Sequence, residues 1–186
     1  IENAILDKYL MLEKHSLDRA YGDLINKVKS KYDLIVIDCP PALGHSVAAA
    51  TLASDIVIAP ITPDYFSLAG LKITYDEIRN LGNKYGKKIE LKVLINKFDQ
   101  RNALSSEVLK TIMTHDLYKD SLCTTFIRAC QEIQNSIYKG INIFSSLRNT
   151  PAKEDIDLLT QEILSLKEKI EHKEHKEHKE DKRLAS

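Results

Sequence analysis

Apolar and polar positions along this chain follow two rhythms, a helical period near 3.6 and short unbroken apolar runs. Residues 3–14 carry Ile5, Leu6, Tyr9, Leu10 and Leu12 at helical spacing. Ser16 stands where an N-cap would, with Asp18 in the first turn. A second helical run follows through Leu17, Ala20, Tyr21, Leu24, Ile25 and Val28. Tyr32-Asp33-Leu34-Ile35-Val36-Ile37-Asp38 is then a continuous, β-branched run, the pattern of a strand buried on both faces. Ile56-Val57-Ile58-Ala59, Leu91-Lys92-Val93-Leu94-Ile95 and the weaker Cys123-Thr124-Thr125-Phe126-Ile127 read the same way. Between them, Ser67 is placed to cap a helix carrying Leu68, Leu71, Tyr75, Ile78 and Leu81. Another helix runs from about Ser105 through Val108, Leu109, Ile112 and Met113. A last long one starts near Pro151 with Ile156, Leu159, Ile163, Leu166 and Ile170. Strands alternating with helices predict an α/β fold, a mostly parallel sheet flanked by helices.

Composition narrows the class. With 186 residues, 43% hydrophobic and 29% charged, the chain is long enough to bury a core. Lys plus Arg and Asp plus Glu both number 27, so any nucleic-acid contact has to come from a local patch. Cys39, Cys123 and Cys130 lack CxxC spacing, which argues against a disulfide framework or zinc site and for a reducing, cytoplasmic compartment. No apolar run is long enough to span a bilayer as a helix. The chain opens Ile1-Glu2-Asn3 rather than with Met, and its first segment already reads as mid-domain helix, so a fragment is expected. Residues 171–186 form a separate tail in which His-Lys-Glu repeats three times from His172. Three histidines at i, i+3 and i+6 resemble a metal face, but a solvated, frayed extension of the last helix is the expectation. Residues 1–170 are expected to form one domain.

The unusual polar residues gather at the carboxyl ends of the predicted strands, where open parallel sheets bind ligands. They are Asp38-Cys39-Pro40-Pro41, Pro60-Ile61-Thr62-Pro63-Asp64, Asn96-Lys97-Phe98-Asp99 and Arg128. A carboxylate after an apolar strand is costly unless it reaches a crevice or a cation, and in nucleotide-binding sheets that cation is Mg²⁺. Pro40 and Pro41 remove backbone donors and stiffen the turn that holds Asp38. His45 and Cys39 lie near Asp38 but carry no nucleophile arrangement, and no G-x-G-x-x-G of a dinucleotide fold occurs.

The string YDLIVIDCPPALG resembles the Walker B segment of the ParA/Soj branch of deviant P-loop ATPases, with MinD as a cousin. LASDIVIAPITPDYFSLAGL and VLINKFDQRNALSSEVL resemble the two following strands with their loops, and the likeness runs on to about Leu166. The stretch from Ile127-Arg128 to Gly140 and Ile143 has the spacing of the segment such proteins use around the base and the DNA-facing surface. The resemblance implies that Asp38 holds the water shell of Mg²⁺ and is the catalytic carboxylate. Asn96 and Lys97, with Pro40 and Pro41, would lie against ATP, the first two near the adenine. Asp99 and Arg101 match a D-x-R element near the dimer face, while Arg128 and Lys139 are candidates for a sequence-independent DNA patch.

This sequence departs from that pattern in places. Asn96-Lys97-Phe98-Asp99 spells N-K-x-D, the guanine signature of P-loop GTPases, although Arg101 completes the D-x-R element and favours ATP. Ile127 stands where many relatives carry Pro, and Gln131 where a basic residue is common. The phosphate loop K-G-G-x-G-K-[ST] and the D-x-D-x-Q motif do not occur, Gly86-Lys87-Lys88 being the nearest string to the former. In the family both lie upstream of the segment where this chain begins, so the expectation is a carboxyl-terminal portion that does not hydrolyse ATP alone.

For the complete protein the resemblance implies an ATP-bridged homodimer, non-specific DNA binding, hydrolysis stimulated by a ParB-like partner, and a nucleoid-associated role in chromosome or plasmid partition. Two other readings stay open. One is a catalytically inactive regulatory partner of an intact ATPase. The other is a MinD-like cell-division regulator, whose terminal membrane helix the polar His-Lys-Glu repeat does not match.

Overall fold

The computed structural model describes residue 8 and residues 17–41, 44–145 and 148–184. Apart from Lys8, which is helical, the predicted helix at 3–14 lies outside the described residues, as do the Ser16 cap and the side chains of His175 and His178. The order of elements is α1 (Leu17–Ala20), α2 (Gly22–Val28), a 3₁₀ turn (Lys29–Lys31), α3 (His45–Ala53), β1 (Ile56–Ile61) and α4 (Tyr65–Tyr85). Then come β2 (Glu90–Ile95), α5 (Ala103–Thr114), α6 (Gln131–Lys139), a second 3₁₀ turn (Ile143–Ser145) and α7 (Pro151–Leu184). The α/β reading holds, with parallel strands flanked by helices. The chain divides into two compact units, Ile1–Val57 with Ala69–Leu91, and Ile58–Leu68 with Lys92–Ser186.

In the first unit α1 packs against α3. The sequence His45–Ala53 is rich in alanine, whose high helix propensity and small side chain suit a buried helix. Ala49, Ala50 and Leu52 are buried there, as are Leu71, Ile78 and Leu91. Where the loop after α4 returns, Lys87 N–H donates to Gly82 O at 2.9 Å. Its ammonium donates to Leu52 O at 2.6 Å and Ser54 O at 3.0 Å, satisfying carbonyls at the end of α3. The nearest string to a phosphate loop therefore has a structural role.

The predicted strand Tyr32–Asp38 is not one. Among the described residues nothing pairs with it, and Val36 is 80% exposed. A strand of this pattern exists only when hydrogen-bonded on its edges and covered on its faces.

In the second unit the ends of β1 and β2 are joined by Asn96 N–H donating to Ile61 O at 2.8 Å. The weak strand at 123–127 is realised as two separate parallel bridges, Val93 with Leu122 and Phe98 with Arg128. It is broken because Thr124 and Thr125 N–H donate to the Glu162 carboxylate of α7, at 2.7 and 2.8 Å, instead of to a ladder. Leu94, Cys123 and Ile127 form a buried cluster on which Ile58, Ile133, Ile156 and Leu159 pack. Each fully buried large aliphatic chain contributes roughly 1.5–3 kcal/mol, and Val93, Ile95, Val108 and Ile112 are all at most 1% exposed.

Candidate functional site

The second unit brings three of the predicted strand ends to one rim. The main-chain bond between Asn96 and Ile61 sets the Thr62–Asp64 turn beside the Asn96–Asp99 turn. Asn96 Oδ1 accepts the N–H of Lys97 at 2.9 Å, and Lys97 adopts φ 55°, left-handed backbone that residues other than glycine rarely take. Phe98 N–H then donates to Ile127 O at 2.9 Å and Ala129 N–H to Phe98 O at 2.8 Å, fastening this turn to the third strand end. The Phe98 and Phe126 rings lie 4.8 Å apart, tilted by 57°.

Asp99 and Arg101 do pair. Arg101 Nε and Nη2 each donate to the carboxylate at 3.1 Å, and Arg101 N–H adds a third bond at 3.0 Å. These bonds hold the Asp99 carboxyl below its ordinary range, the side-chain bond being the larger cause. The Arg101 side chain is 91% exposed, so the pair lies at the surface.

Asp64 caps α4. It accepts the N–H of Ser67 at 2.8 Å and the Ser67 hydroxyl at 2.9 Å, and the Thr62 hydroxyl also donates to it. The Thr62 bond is the chief reason its carboxyl is held low. The cap expected at Ser67 thus belongs to Asp64, because the helix starts at Tyr65 and Ser67 is its third residue.

Arg128 is held by α7. Its N–H and Nε donate to Asp155 at 2.9 and 3.0 Å. Its Nη2 reaches Asp155 at 2.8 Å, Pro151 O at 3.1 Å and Glu154 at 3.3 Å. Sequence reasoning missed Asp155, though it left a signal: a carboxylate three residues after Ala152 and next to Ile156 falls on the buried stripe of α7. Lys139 is exposed in the last turn of α6. The helix stops at Gly140, where φ 62° lets Gly140 and Ile141 N–H return to Ile137 and Ser136 carbonyls, both at 3.0 Å.

Asp38 belongs to the first unit, where it is exposed, with Pro40 half-buried and Pro41 exposed. Partial burial, and then the charge of Asp38, push the Cys39 thiol up, which does not favour a nucleophile; the residue is exposed rather than packed. Among the described residues no group of three or more His, Cys, Asp or Glu side chains forms a metal cage. A lone, exposed carboxylate fits Mg²⁺, which keeps most of its waters and takes few protein ligands, but not a zinc or calcium site.

Parallel strands flanked by helices, with polar turns collected at the strand ends, are the arrangement of open α/β ligand-binding folds. The AAA domain family matches residues 4–93. The virulence plasmid ParA family protein pGP5-D of Chlamydia psittaci is 30% identical over 158 residues, 85% of this chain and 58% of that protein. The cell division ATPase MinD of Pyrococcus furiosus superposes with a TM-score of 0.62 at 20% identity, covering 80% of this chain and 59% of that one. MinD of Pyrococcus horikoshii, solved with Mg-ADP, gives 0.57 at 20% identity, covering 78% and 56%. The chain is thus similar in sequence to a ParA family protein and in fold to MinD. It spans a little over half the length of these relatives.

Proposed function

We propose that the complete protein carrying this chain is a ParA-like partition ATPase. On this reading it binds ATP with Mg²⁺, dimerises, and then holds DNA without sequence preference until a ParB-like partner stimulates hydrolysis. The observation that carries the reading is the rim in the second unit, where the Asn96-Lys97 turn is fixed in left-handed backbone beside the end of β1. Strain of this kind persists only where the surroundings over-determine it, and it concentrates at ligand clamps. The kinship with pGP5-D and MinD is the second support.

Asn96 and Lys97 would lie against adenine, with Pro40 and Pro41 stiffening the nucleotide-side turn after Asp38. Asp38 would hold Mg²⁺ through water, and the bound ion would supply charge neutralisation at the phosphates. Asp99 and Arg101 offer a pre-formed fork at a dimer face. Lys139 would meet DNA phosphates. Arg128 would do so only weakly, since Asp155 and Glu154 already share its charge.

The test is retention of DNA by the complete protein with ATP·Mg²⁺, ADP·Mg²⁺ or no nucleotide. Binding with ATP alone, abolished by Asp38→Ala, is the expected result; nucleotide-independent binding, or none, would sink the reading. In the same assay Lys139→Ala should lower the slope of log affinity against log salt by about 0.9, one phosphate contact.

A further inference from the structure

The bond from Lys97 N–H to Asn96 Oδ1 is one part of what holds this turn. Lys97 sits at φ 55° between two residues that are each tied elsewhere, Asn96 to Ile61 and Phe98 to the third strand end. That second tie is short. Phe98 N–H donates to Ile127 O and Ala129 N–H returns to Phe98 O, so the Phe98 backbone is gripped by the residues on either side of Arg128. Two separate bridges and one further bond, from Ile127 N–H to Ile95 O at 2.9 Å, hold this stretch to β2, because Glu162 draws the N–H groups of Thr124 and Thr125 away from a continuous ladder. Main-chain bonds hold Ile127 and Ala129 on either side, and Arg128 between them has a fixture of its own.

That fixture is Asp155. Its carboxylate is 7% exposed and takes both the main-chain N–H and the guanidinium of Arg128. Binding a residue by backbone and side chain together removes its freedom to slide along the strand or to swing about it. Pro151 O and Glu154 complete the grip from the first turn of α7. From these contacts we infer that Asp155 is a positioning residue for base recognition: through Arg128 and the Phe98 bridge it sets the Asn96-Lys97 turn, and so decides which purine the turn accepts. The inference rests on the proposed placement of the base against Asn96. It deepens that reading, since an N-K-x-D string leaves adenine and guanine to be told apart by how the turn is held rather than by its letters.

The experiment uses the complete protein and reads selectivity, which a loss of general stability does not shift. Affinities for ATP, GTP and inorganic tripolyphosphate are measured by calorimetry for the wild type, Asn96→Ala, Asp155→Asn and Arg128→Lys. Hydrogen exchange is followed at the Phe98 and Ala129 amides. The wild type should prefer ATP to GTP. Asn96→Ala and Asp155→Asn should each lower that preference on the order of tenfold, the lower end of what losing a partner that orients a binding group costs. Tripolyphosphate binding should stay unchanged, and both amides should exchange faster in Asp155→Asn. Arg128→Lys keeps the charge but not the paired N–H groups, and should fall between; it carries the test if Asp155→Asn does not fold. Loss of preference in Asn96→Ala with none in Asp155→Asn or Arg128→Lys would overturn the positioning role and leave the base reading standing. A wild type without purine preference, or an Asn96→Ala variant that keeps it, would bring down both.

Discussion

Glu162 and Asp64 are carboxylates that backbone N–H groups keep ionised. Burial alone would raise Glu162, but the N–H of Thr124 and then the bonds from Thr125 outweigh it and hold the group below its ordinary 4.5. Asp64 is held below 3.8, chiefly by Thr62. In both the folded value is the depressed one. Their contribution is therefore complete above the ordinary carboxylate range and is lost as pH falls through the folded values. Thermal melts should drop below about pH 4, and Glu162→Gln should flatten that dependence while costing about 1 kcal/mol at pH 7, one charge-assisted bond partly retained. Burial, and then the charge of Glu162, push the Cys123 thiol up to about 11. Alkylation at pH 8 should accordingly modify Cys39, which is exposed, well before Cys123. Residue roles of this kind were only partly legible in the sequence. Asp99 and Arg101 stand out together in the sequence as a D-x-R string and are bonded to each other, whereas Asp155 and Glu162 act on partners 27 and 37–38 positions away, which spacing along one helix does not disclose.

At the scale of elements, α4 offers a controlled pair of glycines. A Cβ at Gly70 meets nothing within 4 Å, whereas one at Gly82 comes to 2.7 Å from Lys87 O, a backbone atom. Gly70→Ala should raise stability by about 1 kcal/mol through helix propensity. Gly82→Ala should lower it despite the same propensity gain, because the Lys87 carbonyl has to move; paired denaturant melts give both signs. Asp64→Ala should cost α4 about 1 kcal/mol and Asp64→Asn much less, since asparagine also caps. Periodicity found β1, β2, α4, α5 and α7 because each buries one face or two and is long or well marked. It missed α3, whose alanines give helix propensity but no stripe, and α6, whose two-turn Ile133-Ile137 spacing is too short to stand out. It also overstated the strand at 123–127, where a distant carboxylate takes the N–H groups a ladder would use.

For the whole molecule, the candidate residues fall in both units. The turns after β1 and β2 and the Arg128 end belong to the second unit, and Asp38 to the first. The apolar run before Asp38 leaves Tyr32, Leu34, Ile35 and Val36 exposed by 63, 46, 38 and 80%. A β-prone run of this kind, without partners, invites intermolecular pairing. The 186-residue chain should therefore associate in light scattering as concentration rises. Val36→Lys should suppress that without moving the melting temperature.

Lys97 has a consequence for anyone who screens this protein by mutation. Glycine in its place would relieve a left-handed lysine, a gain of about 1 kcal/mol. It would also widen the unfolded ensemble by a similar amount, about 0.4–1 kcal/mol. The two nearly cancel, so a stability screen would score position 97 as silent, and the position would pass for unimportant in any library sorted on folding. Only a sort on what the turn holds would find it.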